Sequence, residues 1–152
     1  MDVRYINPFV AGIKNVFATM IALPFTLHKP SIKKNRMPDF EISCIIGLSG
    51  PVVGCVVISL KEKLALELAS ALTQETFESF DADAVDAIGE ITNMIVGNAK
   101  SNFPEADCSI SVPSVVIGQH RVSFPSTVPI ITIPCEIGSE RLCIDVAIQK
   151  RD

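Results

Sequence analysis

Apolar residues recur every three or four positions near the start of the chain, at Ile6, Phe9, Val10, Ile13, Val16, Phe17, Met20 and Ile21. That period predicts a helix with one buried face. Asn7 followed by Pro8 marks its start, because the Asn side chain can accept a free N–H and proline at the first helical position gives up no hydrogen bond. Pro24 ends the pattern. Residues 42–48 and 52–60 are β-branched apolar runs separated by Ser49-Gly50-Pro51, which predicts a β-hairpin. Ser59 stands three residues before Glu62, the spacing of a capping box, and opens a second helix that buries Leu64, Leu68 and Leu72 and fades near Thr73.

A third helix is expected from about Asp81 to Phe103-Pro104. Asp81, Asp83 and Asp86 suit the positive end of the helix, and Pro104 cannot continue it. Three strands follow, at about 110–118, 127–135 and 141–149. In the last, Leu142, Ile144, Val146 and Ile148 alternate with Cys143, Asp145, Ala147 and Gln149, as in a sheet with one buried face. A further strand is possible near residues 26–34. The order helix, strands, two helices, strands predicts an α+β domain of three helices on a mainly antiparallel sheet of about six strands. It also hints at duplication of a helix-plus-strands unit.

With 152 residues and 48% hydrophobic content, the chain has enough apolar material for one substantial core, so residues 1–152 read as a single domain. A net charge of −4 makes nucleic acid a poor partner. The basic cluster Lys33, Lys34 and Arg36, between Pro30 and Pro38, reads as a solvated loop. The five cysteines, Cys44, Cys55, Cys108, Cys135 and Cys143, contain no CxxC spacing and mostly sit in apolar runs, as small buried hydrophobes do. Neither His28 nor His120 has metal-ligand spacing, so no metal site is expected in the chain. The first apolar segment carries Lys14 and Asn15 and meets Pro24 too early for a membrane span. Reduced cysteines and no export signal point to the cytoplasm.

The third helix holds the candidate chemistry. Asp83, Asp86, Glu90, Asn93 and Gly97 fall on one line at spacings of three and four, with Val85, Ile88, Ile91, Thr92, Ile95 and Ala99 on the other side. Glu90 and Asn93 therefore share the solvent face. Gly89 and Gly97 lie in the helix interior, where each costs about 1 kcal/mol relative to alanine. A glycine one turn beyond Asn93 either lets another backbone approach the amide or serves close packing within the domain.

The run from Ile88 to Ala99, with Glu90, Asn93 and Gly97, resembles the active helix of the CheC/CheX/FliY phosphatases: a Glu, an Asn three residues on, then a Gly one turn later. The turn at residues 47–51, Gly54, Ser59 and the stretch 113–118 are similar to CheX-type sequences as well. CheC-type relatives carry a second Glu-x-x-Asn in the first helix; here Asn15 is present, but Gly12 stands where the Glu would be. The resemblance thus implies a CheC-like fold with one site per chain, as in the CheX branch, and a homodimer joined through its sheets. It implies a phosphatase acting on the aspartyl phosphate of a phospho-CheY-like response regulator, which brings its own Mg2+ and lysine. Asn93 would position the attacking water and Glu90 would pair with the partner's lysine, with Asp86 and Gly97 in the partner-binding surface. The alternatives are a non-catalytic adaptor of the same fold and a purely structural dimerisation module.

Overall fold

The structure is a computed structural model that describes residues 2–125 and 127–152. Helix α1 (Val3–Val16) runs into a π-helical turn (Phe17–Ile21). It begins earlier than Asn7-Pro8 suggests, because Asp2 caps it by accepting the Arg4 N–H at 2.9 Å, and the longer helix buries Tyr5 and Ile6. Pro8 consequently sits inside the helix. The π turn carries an extra residue, which shifts the buried face and leaves Met20 48% exposed despite its place in the apolar period.

Two short strands, β1 (Thr26–Leu27) and β2 (Ser31–Ile32), precede the long hairpin of β3 (Ile42–Ser49) and β4 (Val52–Leu60). Helix α2 (Glu62–Thr73) starts from Lys61, which makes no side-chain cap, so Ser59 is not a capping residue. It is a buried strand residue whose hydroxyl accepts the Phe40 N–H at 3.0 Å. Helix α3 (Ala82–Lys100) is capped by the Asp81 carboxylate, which accepts the Ala84 N–H at 3.0 Å. Beyond Lys100 the chain turns, a few residues short of Pro104. Strands β5 (Ser109–Ile110), β6 (Ser114–Ile117), β7 (Ile131–Ile137) and β8 (Glu140–Lys150) complete the fold.

All eight strands form one sheet in which every pairing is antiparallel, with the order β1-β7-β8-β4-β3-β5; β2 also pairs with β7, and β6 with β3. The eight strands thus fill six lanes, because each edge lane is broken into two pieces. Proline sets both breaks. Pro134 of β7 lies opposite the gap between β1 and β2, where no N–H is available to a neighbour. Pro113 separates β5 from β6, so the single strand expected over 110–118 is two pieces.

This order has an internal two-fold pattern. Helix α1 with β1–β4 and helix α3 with β5–β8 each comprise a helix, two short strands and a long hairpin, and each short pair lines the other half's hairpin. The centre is β4 against β8, in register from Val52↔Lys150 to Leu60↔Leu142. The duplication hinted at by element order is therefore present in the topology.

The three helices cover one face of the sheet, where Phe9, Ile13, Phe17, Ile46, Leu64, Ile95, Ile133 and Ile144 form the main core. The other face is not open to solvent, as the alternation in β8 suggested. Val57 and Ala147 pack there beneath Phe124, Val128 and Ile130, and residues Leu142 to Ile148 are buried without interruption.

Lys33 belongs to that second face and is not a solvated loop residue. Its ammonium donates to Asp145 Oδ2 at 2.6 Å and to Asp39 Oδ2 at 2.7 Å, and Lys33 and Asp145 are both buried. Burial alone would lower the Lys33 pKa, but these two hydrogen bonds outweigh it and raise it. Arg36 donates to the Pro125 carbonyl at 2.9 Å, so the basic segment clamps down the strap that covers the sheet. His120 is a further clamp. Its Nδ1 lies 2.7 Å from the Gly118 carbonyl and therefore donates, leaving Nε2 to accept from the Ser43 hydroxyl at 2.7 Å.

The cysteines are unpaired, and four of them, Cys44, Cys108, Cys135 and Cys143, are buried. Burial pushes the Cys135 and Cys143 thiols up to about 12, which keeps both out of the reactive thiolate form.

Candidate functional site

Helix α3 packs against both other helices and against β3 and β6 of the sheet. Its buried side holds Ile88, Ile91, Thr92 and Ile95, and the Thr92 hydroxyl donates back to the Ile88 carbonyl at 2.9 Å. With those side chains fixed inward, the helical period turns Asp83, Asp86 and Glu90 to the exposed side. Asn93 and Gly97 continue the same line but are half-buried, so the amide is less open than its place on the polar line suggested. The fold thus brings all five residues onto one strip of helix surface. Among the described residues, no hydrogen bond or ion pair occupies the side chains of Asp83, Asp86, Glu90 or Asn93.

The two helix glycines differ in what they do. A Cβ on Gly89 would lie 3.2 Å from the Pro113 ring, so Gly89 serves packing within the domain. A Cβ on Gly97 would meet nothing within 4 Å. The missing side chain one turn beyond Asn93 therefore leaves space that nothing in the chain fills.

The partner helix carries no equivalent strip. Gly12 is buried against α3, where an added Cβ would stand 3.1 Å from the Ile95 carbonyl oxygen, while Asn15 is exposed. A glutamate at position 12 would have to enter a backbone-to-backbone contact between two helices. Neither Glu90 nor Asn93 lines the 520 Å3 groove of Leu23, Leu66, Glu67, Ser70, Ala71 and Phe77. Among the described residues there is no group of three His, Cys, Asp or Glu that could hold a metal ion, and no helix is long and apolar enough to cross a membrane.

Residues 42–136 match the family described as chemotaxis phosphatase CheX. The chain belongs to the CheX family of chemotaxis phosphatases, hydrolases by class. Its fold is CheC-like: a CheC-like superfamily protein from Shewanella sp. PV-4 is 31% identical, with 98% of this chain and 99% of that one covered and a TM-score of 0.87. The CheY-P phosphatase CheX of Thermotoga maritima is 22% identical over 142 residues, 92% of each chain. A chain of the CheX-CheY-BeF3-Mg2+ complex from Borrelia burgdorferi superposes with a TM-score of 0.81 at 24% identity, covering 96% of this chain and 98% of that one.

Sequence reasoning located the strip but missed the loop beside it. Pro113 was legible as a strand residue within a CheX-like stretch, and its seat on Gly89 depends on a contact between positions 24 residues apart. The oddity of a glycine in a helix interior was the available signal.

Proposed function

We propose that this CheX-family chain hydrolyses the aspartyl phosphate of a CheY-like response regulator, with Asn93 positioning the attacking water and Glu90 pairing with the partner's active-site lysine. The observation that carries this reading is the unoccupied Glu90/Asn93 pair on a helix strip whose next turn, at Gly97, is open. An amide can donate one hydrogen bond and accept another, so it can hold water in line with phosphorus without acting as a base. A carboxylate one turn away can dock on an ammonium in the partner. Asp86 extends the negative side of that contact, and Gly97 gives the partner's backbone room to come close.

The metal in this reaction belongs to the partner. Mg2+ in the receiver's own site neutralises the phosphoryl oxygens, while this chain supplies water placement and docking. The Thermotoga relative acts on CheY-P, and the Borrelia relative stands in a complex with CheY, BeF3 and Mg2+, which supports the same partner class here. The whole of residues 1–152 acts as one cytoplasmic domain, and two copies join through their sheets at one of the two edges, which expose Ile32 of β2 (66%) on one side and Ile117 of β6 (56%) on the other.

The test mixes the full chain with an acyl-phosphorylated receiver and Mg2+ and follows phosphate release against the receiver alone. Catalytic amounts of the chain should accelerate release over many turnovers. Stoichiometric binding with no acceleration would make it an adaptor instead. Sedimentation of the same sample should give a dimer, and a monomer at all concentrations would remove that part.

A further inference from the structure

Among the described residues, the most exposed large apolar side chain is Val112, at 82%. Exposure of a single valine is ordinary, but this one sits on a loop held from two sides. Gly47 on strand β3 donates its N–H to Ser111 Oγ at 2.9 Å, and its carbonyl accepts the Ser111 N–H at 2.9 Å. The Ser111 hydroxyl donates in turn to the Val112 carbonyl at 3.0 Å. On the other side, the Pro113 ring rests on Gly89, the one place on that helix turn without a side chain to displace it. Val112 is thus fixed outward between two anchors.

Gly89 and Asn93 are four residues apart and share a helix face, with Glu90 next to Gly89. The anchored loop therefore flanks the Glu90/Asn93 strip on the Asn93 side. Taking the phosphatase reading above as its basis, we infer that Val112 is an apolar abutment for the incoming receiver. A partner seated on this strip meets carboxylates from Asp83, Asp86 and Glu90 along the helix and an aliphatic stop beside Asn93. The complementary receiver surface carries basic groups along one side of its phosphorylated pocket and an apolar side chain on the other. Because the stop is rigid, it selects receivers and fixes how the Asn93 amide enters the pocket.

The experiment compares the wild-type chain with Val112→Asp, Val112→Ala and Val112→Ile, using an acyl-phosphorylated CheY-type receiver and Mg2+ for kinetics and the same receiver loaded with beryllofluoride and Mg2+ for binding. Val112→Asp should raise KM and Kd about tenfold and Val112→Ala about threefold, with kcat within about twofold of wild type and Val112→Ile close to wild type. Unchanged KM and Kd in both Val112→Asp and Val112→Ala, with an active wild type, would overturn the inference and leave the Asn93 assignment standing. So would a fall in kcat at constant KM, or a changed oligomeric state at constant Kd. A wild type without phosphatase activity would overturn the underlying reading.

Discussion

Among single residues, some side chains hold the fold and others are left free of partners. Glu90 is exposed and unpaired among the described residues, so Glu90→Ala should leave thermal stability within about 0.5 kcal/mol of wild type. Its effect should fall on association: about a tenfold loss of affinity for the beryllofluoride-loaded receiver by titration, in the range of a charge-assisted contact. An unchanged affinity would remove its lysine-pairing role. Lys33 is the opposite case. Lys33→Met strands the Asp145 carboxylate, which is 1% exposed, and should cost about 3–5 kcal/mol in urea unfolding at pH 7. Burial is the main influence raising the Asp145 pKa, and without Lys33 it acts with less opposition. The folded state then binds a proton more readily than the unfolded chain, so the variant's stability should rise as pH falls from 7 toward the unfolded carboxylate value near 3.9. A variant as stable as wild type at pH 7 would contradict the buried pair.

Local signals explain which elements were legible in the sequence. Helix α3 announces itself through the Asp81 cap and an unbroken three-to-four period, and the hairpin through two β-branched runs around Ser49-Gly50-Pro51, because in both cases the deciding contacts lie within a few residues. The Glu90/Asn93 strip was legible for the same reason. What sequence reasoning lost depended on distant partners. Lys33 looks solvated until Asp145, 112 positions away, folds beneath it. Ser59 looks like a helix cap until β4 carries it under Phe40. The Asn7-Pro8 start is locally sound, but Asp2 supplies a competing cap and Tyr5 and Ile6 supply burial. At this scale Gly12 also explains why α1 carries no second Glu-x-x-Asn pair. Gly12→Ala gains about 1 kcal/mol of helix propensity but pushes a methyl to 3.1 Å from a helix carbonyl that cannot easily retreat. Overpacking of this kind costs about 1–3 kcal/mol, so a net loss of about 1 kcal/mol in denaturant unfolding is expected. A gain in stability would mean that the two helices separate more freely than their packing implies.

At the scale of the whole molecule, two similar halves close one sheet, and the helix of each half packs against the other, with the Glu90/Asn93 pair on α3 and Gly12 where α1 would need its glutamate. The second face of the sheet, opposite the helices, is sealed by the Lys33 and Arg36 clamps. On the proposed mechanism, catalysis rests on one amide entering another protein's phosphorylated pocket. The most direct test is Asn93→Ala, measured as phosphate release from an acyl-phosphorylated receiver in Mg2+ alongside affinity for the beryllofluoride-loaded form. Release should drop at least about a hundredfold, toward the receiver's own rate, while affinity and melting temperature stay close to wild type. Release at the wild-type rate from a folded, receiver-binding Asn93→Ala chain would contradict the account.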